Sequence, residues 1–180
     1  GPSSGTVVYS QQEVTLTTFG GNGEGHRIVY STATHQEIFD YVIKGFNSAW
    51  KYRFPTFILG DGYQAKMREP LTIYDPQERG IEMVATYPLV GKPGHIGEDR
   101  EAQHLCNIYS LEEELYEVVM RHAADYERII PELIEYEEKE CDDADIIIVS
   151  HGVVSRAADD AVKALRAQGI KAGYFRPITL

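Results

Sequence analysis

Cysteine is scarce in this sequence: its 180 residues include only two, Cys106 and Cys141. Two thiols exclude a disulfide framework, and they also exclude an iron–sulfur cluster held by this chain alone, because such a cluster usually needs four thiolates. No apolar run approaches the ~18–20 residues of a membrane-spanning helix, and no charged-then-apolar leader is recognisable. These features predict a soluble protein of the reducing cytoplasm.

Positive charge is also in short supply, with 17 Lys and Arg residues against 28 Asp and Glu, a net charge of −11. The whole excess lies between Glu112 and Asp145, where fourteen acids face three bases. Because a nucleic-acid interface needs clustered Lys and Arg, nucleic-acid binding is disfavoured. The acidic stretch is interpreted as the solvated face of a helix, and a rim that faces a basic partner is the alternative.

The two ends of the chain are unusual for a complete protein. There is no initiator Met, and the last residues, 174–180, continue directly from a predicted strand. We therefore expect an internal piece of a longer polypeptide, in which any active site is incomplete.

Residues 26–62 show the strand–helix–strand pattern of an α/β protein. A β-branched run at 26–31 is followed by a capping box at Thr34–Glu37 and by a helix predicted to end near Tyr52. A second strand from Thr56 has a glycine-rich exit at 60–62. This order predicts a βαβ unit with parallel strands and a right-handed crossover.

The carboxyl-terminal segment repeats this pattern. The continuous apolar run Ile146–Val149 predicts a parallel strand that is covered on both faces. A helix is predicted after His151-Gly152, with Gly169 as its left-handed cap, and a final strand is predicted at 170–176.

The middle of the chain separates the two segments. Regular patterns are lost over 63–109, where proline and glycine are frequent. A second capping box, Ser110–Glu113, then predicts a long helix whose apolar stripe extends from Leu111 to Tyr136, with a kink or restart at Pro131.

Few patterns indicate chemistry by themselves. The glycine-rich loop at 20–25 precedes a strand instead of joining a strand to a helix, so a dinucleotide site is disfavoured; a flexible loop is favoured over a close backbone approach to a ligand. The six histidines have no metal-type spacing, so no metal site is predicted. His122 is interpreted as a core or interface residue, and His151 as structural rather than catalytic.

Several stretches, taken in order, resemble one known family. Gly1–Gly5 resembles the G-P-S-T-G element of the 2-oxoacid:ferredoxin oxidoreductases, in the α chain that carries the thiamine-pyrimidine domain. Residues 45–55 match that family's A-F-x-x-A-x-K-Y-x-x-P run. Gln11, Gln12 and the 20–25 loop resemble the family's next segment. Asp61-Gly62 and Met67–Pro70 resemble the D-G…M-x-E-P exit of the branched-chain type. The series is completed by residues 126–129, 142–145 and 175–180.

The resemblance implies a domain order within an α/β fold of parallel sheets and βαβ units. Residues 1–75 would be the C-terminal half of a thiamine pyrimidine-binding domain, and 76–139 a linker with the long acidic helix. Residues 140–180 would begin a transketolase C-terminal-like domain.

The resemblance also implies an activity, namely oxidative decarboxylation of a 2-oxoacid to an acyl-CoA, with electrons passed to ferredoxin. Thiamine diphosphate with magnesium would lie mostly on a partner chain, iron–sulfur clusters on partner chains, and coenzyme A would be a co-substrate. The implied partners are a thiamine-diphosphate-binding β subunit, a γ subunit, a ferredoxin-like subunit and ferredoxin, within a hetero-oligomer.

The residues of the substrate site that the resemblance places in this chain are Ser3, Ser4, Thr6 and Val8. The family's catalytic Glu and substrate-binding Arg precede the G-P-S-T-G element, so no catalytic residue and no metal ligand is assigned here, and this chain alone is expected to be inactive. The family often continues with L-P-T, whereas this sequence has Thr6-Val7-Val8. The missing hydroxyl at position 8 favours an apolar substrate tail, and hence a branched-chain 2-oxoacid rather than 2-oxoglutarate.

Two alternatives remain open at this point. One is a ferredoxin-independent thiamine enzyme with the same two domains, of the transketolase or 2-oxoacid dehydrogenase type. The other is a non-catalytic assembly subunit whose function resides in the acidic helix.

Overall fold

The computed structural model describes residues 13–21, 25–86 and 108–180, and it confirms the predicted α/β class. Two sheets are present in this part of the chain, with strand orders β1-β2 and β3-β5-β4. In chain order the elements are α1 (Glu13–Phe19), β1 (Ile28–Ser31), α2 (His35–Tyr52), β2 (Thr56–Leu59), α3 (Gly62–Lys66), α4 (Glu112–Leu133), β3 (Tyr136–Lys139), β4 (Ile146–Val149), α5 (Val154–Ala167) and β5 (Ala172–Pro177).

The first sheet is the predicted βαβ unit. Strand β1 pairs in parallel with β2, with Ile28 opposite Thr56 and Ser31 opposite Leu59. The hydroxyl of Thr34 accepts the backbone N–H of Glu37 at 3.1 Å, and the Glu37 carboxylate accepts the N–H of Ala33 at 2.6 Å. The capping box therefore forms, although the glutamate reaches one residue further back than the usual pattern.

The core of the first unit is completed by the far end of α4. Ile28 and Tyr30 of β1 are buried together with Ile129 and Leu133 of α4. Helix α2 lies so close to β2 at Gly45 that a Cβ atom there would stand 2.9 Å from Cδ1 of Ile58. The last turns of α4 therefore pack against the first sheet and form part of its core.

Helix α4 differs from its prediction at both ends. Its N-cap residue is Leu111 and no side chain caps it, so the predicted capping box is wrong: Ser110 lies one residue outside the capping position. Pro131 neither ends nor restarts the helix, which continues to Leu133, and the N–H of Ile134 still bonds the carbonyl of Ile130. Pro131 lies in the final turn, where its missing N–H removes only one bond.

The second sheet is mixed rather than wholly parallel. Strand β4 pairs in parallel with β5 as predicted, whereas β3 pairs antiparallel with β5. Tyr136 belongs to β3 and not to the helical stripe, because Ile134 is extended and ends the helix. Gly169 has φ +81°, as predicted for the cap after α5.

In the part of the chain that the structure describes, strand β4 is covered on one face only, contrary to the prediction of a strand covered on both faces. Helix α5 packs Ala158 and Val162 against one side of this sheet, where they meet Ala172 and Tyr174. Strand β4 is an edge strand, and Ile146, Ile147 and Val149 are 55%, 49% and 63% exposed. An aliphatic run predicts a buried strand only where layers are present on both sides.

The described part of the stretch predicted to be irregular, 63–86 with 108–109, includes most of one short helix, α3. The side chain of Asp61 caps it by accepting the N–H of Gln64 at 2.8 Å. Across the described ranges, none of the helices combines the length and apolar character that a bilayer crossing requires.

Candidate functional site

The four residues expected to contact substrate, Ser3, Ser4, Thr6 and Val8, lie outside the described residues. The candidate site that the structure does describe is the contact between the two α/β units at the ends of their strands. It is formed around Ser31, His151 and Arg176 and is called the seam below. In open α/β sheets, ligands and functional groups collect at the carboxyl ends of the strands.

The end of β1 meets the end of β4. Oγ of Ser31 lies 2.8 Å from Nδ1 of His151, and both side chains are buried. Gly152 has φ +63°, and a Cβ atom there would stand 3.5 Å from Oγ of Ser31. That distance is an ordinary contact, so glycine is favoured here by the left-handed turn rather than by a lack of space.

Arg176 of β5 is the principal ionic contact across the seam. Its side chain is only 5% exposed, and its guanidinium forms a two-pronged pair with the Glu37 carboxylate, with Nη1 2.8 Å from Oε1. Nη2 also donates to the carbonyl of Ser31 at 3.3 Å. A planar guanidinium suits this paired geometry, and the same carboxylate completes the N-terminal cap of α2.

Glu69 makes a second connection, which the sequence reading did not anticipate. Its carboxylate accepts the backbone N–H of His35 at 3.0 Å and forms an ion pair with Arg156 of α5. The bond from His35 and the nearby Arg156 hold the pKa of Glu69 below its usual value. The Met67–Pro70 motif was the sequence signal that could have drawn attention to Glu69. This glutamate joins the start of α2 to the second unit.

The backbone also crosses the seam. The N–H of Ser31 donates to the carbonyl of Ile178 at 2.8 Å, and the N–H of Leu180 donates to the carbonyl of Val29 at 3.0 Å. Residues 178–180 therefore run along the side of β1 that faces away from β2, with an antiparallel bridge between Tyr30 and Thr179.

Several buried polar atoms at these strand ends have no hydrogen-bond partner. Gln64, which is 1% exposed, leaves both amide atoms unpaired, and Nε2 of His151 is also unpaired. Burial, with Arg176 nearby, lowers the pKa of His151, so that the ring is neutral near pH 7. The seam offers hydrogen-bonding groups, but in the described ranges no three His, Cys, Asp or Glu side chains cluster as metal ligands would.

The two highlighted histidines have different surroundings. His151 lies in the seam, where its bond to Ser31 gives it a structural contact. His122 is exposed on α4, and its ring meets Phe54 edge-on at 6.4 Å, so its placement in a core is wrong, whereas its placement at an interface stays a prediction. The stripe pattern failed because, within the described residues, the amino-terminal part of α4 packs on neither sheet.

The fold and the seam define an α/β protein in which two units with parallel strand pairs are joined at their strand ends. The family model described as "Pyruvate flavodoxin/ferredoxin oxidoreductase, thiamine diP-bdg" matches residues 1–138, and "Pyruvate:ferredoxin oxidoreductase core domain II" matches residues 144–180. The chain belongs to the pyruvate flavodoxin/ferredoxin oxidoreductase family, as the ordered motifs predicted.

Individual relatives agree with this assignment. Ketoisovalerate oxidoreductase subunit VorB of Methanothermobacter thermautotrophicus is 33% identical over 182 residues, covering 100% of this chain and 50% of the relative. 2-Oxoglutarate synthase subunit KorA of the same organism is 28% identical over 203 residues, covering 97% and 52%. The chain thus spans about half the length of these curated relatives.

A solved structure has the same fold. The 2-oxoglutarate:ferredoxin oxidoreductase from Magnetococcus marinus, with 2-oxoglutarate, coenzyme A and succinyl-CoA bound, superposes with a TM-score of 0.72 at 21% identity. The match covers 99% of this chain and 35% of that chain.

Proposed function

We propose that the chain is part of the α subunit of a thiamine-diphosphate-dependent 2-oxoacid:ferredoxin oxidoreductase. The reaction is oxidative decarboxylation of a 2-oxoacid to an acyl-CoA, with the electrons delivered to ferredoxin. The observation that carries the proposal is the order of the two family matches, 1–138 followed by 144–180. A cytoplasmic location accords with ferredoxin as the electron acceptor.

The cofactors are assigned mainly to other chains. Thiamine diphosphate supplies, when bound, the carbanion stabilisation that decarboxylation needs. In the part of this chain that the structure describes, no cluster of three metal-type side chains fits magnesium or an iron–sulfur centre. We therefore assign the diphosphate–magnesium site and the clusters to the β, γ and ferredoxin-like subunits of a hetero-oligomer, with coenzyme A as co-substrate. The names of the relatives as subunits support an assembly of several chains.

This chain's own contribution is to shape the substrate site. We assign Ser3, Ser4, Thr6 and Val8 to the substrate, and keep the division into 1–75, 76–139 and 140–180 as the domain layout. Glu37, Glu69 and Arg176 hold the two units together. The apolar Val8 favours a branched-chain 2-oxoacid, and the higher identity to the ketoisovalerate enzyme, 33% against 28%, supports that preference.

The test uses the full-length subunit co-expressed with its partner subunits. We expect viologen reduction that requires thiamine diphosphate and coenzyme A, with 2-oxoisovalerate preferred over 2-oxoglutarate. Val8→Thr should shift the ratio of kcat/KM values towards 2-oxoglutarate by about tenfold, and Val7→Thr is the matched control. Absence of viologen reduction would support a lipoamide-linked enzyme, and a tenfold preference of the parent enzyme for 2-oxoglutarate would contradict the substrate assignment.

An assembly role is the second candidate, favoured by the exposed start of α4. Leu115 and Met120 are 46% and 51% exposed beside a run of glutamates. If assembly is the function, neutralising Glu112, Glu113, Glu114 and Glu117 together abolishes complex formation. If these side chains are only solvated, the complex forms unchanged.

A further inference from the structure

We propose that the cavity between the end of α2 and helix α4 binds a small phosphorylated molecule. This cavity, called here the α2–α4 pocket, has a volume of about 580 Å³. Its walls come from residues 51–55 at the end of α2, from His26 just before β1, and from one side of α4 between Val119 and Glu132. Pockets of several hundred Å³ are of the size that holds small ligands.

The charge of the pocket is opposite to that of the chain. Four cations line it, Lys51, Arg53, Arg121 and Arg128, against two acids, Asp125 and Glu132. The acidic stretch 112–145 contains only three bases, and two of them, Arg121 and Arg128, line this one cavity. A positive site is thus retained in the most negative part of the sequence.

Two of these cations are already neutralised and two are not. Lys51 pairs with Glu132 at 2.8 Å, and Arg128 pairs with Asp125 at 2.9 Å. Arg53 and Arg121 have no carboxylate partner anywhere in the described ranges. Two arginines that line the pocket are therefore without a carboxylate partner among the described residues and can bind an anion.

Arg53 stands at a position that ordinarily suits glycine. It ends α2 with φ 63° and ψ 27°, a left-handed backbone that is unfavourable for a residue with a Cβ atom. Its guanidinium lies over the Trp50 ring, 5.2 Å from the centroid. Strain of this kind is characteristic of functional positions, and here it puts a positive side chain on the pocket wall.

The inner wall of the pocket is aromatic. The ring of His26 stacks on Tyr126 with centroids 4.7 Å apart, and Phe54 meets both rings edge-on at 6.5 and 5.4 Å. Tyr126 is fixed in turn by donating its hydroxyl to the carbonyl of Arg27 at 2.8 Å. Of these three rings, His26 and Phe54 line the pocket and Tyr126 supports them by contact, so the wall offers aromatic carbon atoms to the organic part of a ligand.

The chemistry of the pocket selects phosphate over a single carboxylate. Guanidinium forks match phosphate oxygens, and two unpaired guanidinium groups suit a dianion or a diphosphate. The imidazoles of His26 and His122 add further hydrogen-bonding nitrogens to the wall. The predicted ligand joins one or two phosphate groups to a ring.

The test is calorimetric titration of the full-length subunit, co-expressed with its partner subunits, with pyrophosphate and, separately, with ADP. We expect saturable binding of both, with ADP tighter because its ring contacts the aromatic wall. Arg121→Gln should weaken binding about tenfold, since it removes a charge-assisted contact. Glu132→Gln should strengthen it several-fold, because Lys51 is then released towards the ligand.

The matched control is Arg68→Gln, which removes an exposed arginine outside the pocket and should leave affinity unchanged. Circular dichroism of each variant separates lost binding from lost folding, and the gain expected from Glu132→Gln does not arise from misfolding. No binding of either probe up to about 5 mM, which is weaker than ordinary metabolite affinities, would overturn the proposal. Equal loss in Arg68→Gln and Arg121→Gln would also overturn it. Because binding is read without turnover, the result is independent of the oxidoreductase assignment.

Discussion

At the residue scale, the buried His151 makes the stability of the folded chain depend on pH. Its ring is buried, it bonds Ser31 through Nδ1, and Arg176 disfavours a second positive charge beside it, while Asp61 partly offsets that effect. Burial is the main reason why its pKa lies below the usual value of 6.5. Near pH 6.5, His151 therefore binds a proton more readily in the unfolded chain than in the folded chain.

We therefore expect the free energy of unfolding to fall as the pH drops below 6.5. The slope contributed by this one group is at most about 1.4 kcal/mol per pH unit, because the unfolded state binds at most one more proton. Urea unfolding between pH 7 and 5 measures it, with His151→Asn as the comparison, which should have a shallower slope. Identical slopes for the two proteins would show that His151 is not the group responsible.

At the scale of elements, two glycines have opposite tolerance for a methyl group. At Gly45 in α2 the new Cβ atom would stand 2.9 Å from Cδ1 of Ile58, the end of a side chain that can rotate away, and its next neighbours, Cγ1 of Ile58 and Cγ2 of Thr56, lie at an ordinary 3.6 Å. At Gly173 in β5 it would stand 2.8 Å from the backbone carbonyl oxygen of Glu140 and 3.0 Å from Cβ of Ala144, so backbone must move.

We expect Gly45→Ala to change the free energy of unfolding by no more than about 0.5 kcal/mol, since helix propensity offsets the contact. Gly173→Ala should lower it by about 1–3 kcal/mol, as in other overpacked sites. Chemical denaturation of the pair, measured under the same conditions, provides the comparison. Equal stability of the two variants would contradict the close packing of β5 against residues 140–144.

At the scale of the whole molecule, the two units share bonds and should unfold together. Trp50, the one tryptophan of the sequence, lies in α2 and reports on the first unit, whereas far-ultraviolet circular dichroism reports on both. For the parent chain we expect the two signals to follow a single coincident urea transition.

Arg176→Gln should separate the two signals, because it leaves Glu37 partly buried without its partner and weakens the seam by about 2–4 kcal/mol. Lys163→Gln, which removes an exposed pair on α5, is the control and should cost at most about 0.5 kcal/mol with the signals still coincident. Two separate transitions in the parent chain would mean that the units are independent.

The elements with local signals could be predicted from the sequence. The α2 cap at Thr34, the left-handed Gly169 and both parallel strand pairs follow from patterns a few residues long. Strand β3 could not be predicted in the same way, because Tyr136 continues a helical spacing and becomes a strand only by pairing with β5.

The seam was still less predictable. Glu37 and Arg176 are 139 positions apart, and neither has a local pattern that identifies its partner. The exposure of β4 depends on what covers the sheet and not on the composition of the strand. The ordered motifs identified the family, but they gave no geometry for Glu69 beyond its place in Met67–Pro70.

The pairing of residues 178–180 with β1 has a consequence for biosynthesis. A ribosome releases the amino-terminal residues first, so β1 and β2 emerge long before the segment that completes the other side of β1. Until translation reaches Leu180, the backbone groups of Val29 and Ser31 on that side face solvent or a chaperone. The first sheet is therefore completed only after residues 178–180 have been made, and a pause in translation before residue 178 would prolong the time during which this edge can pair with a neighbouring nascent chain.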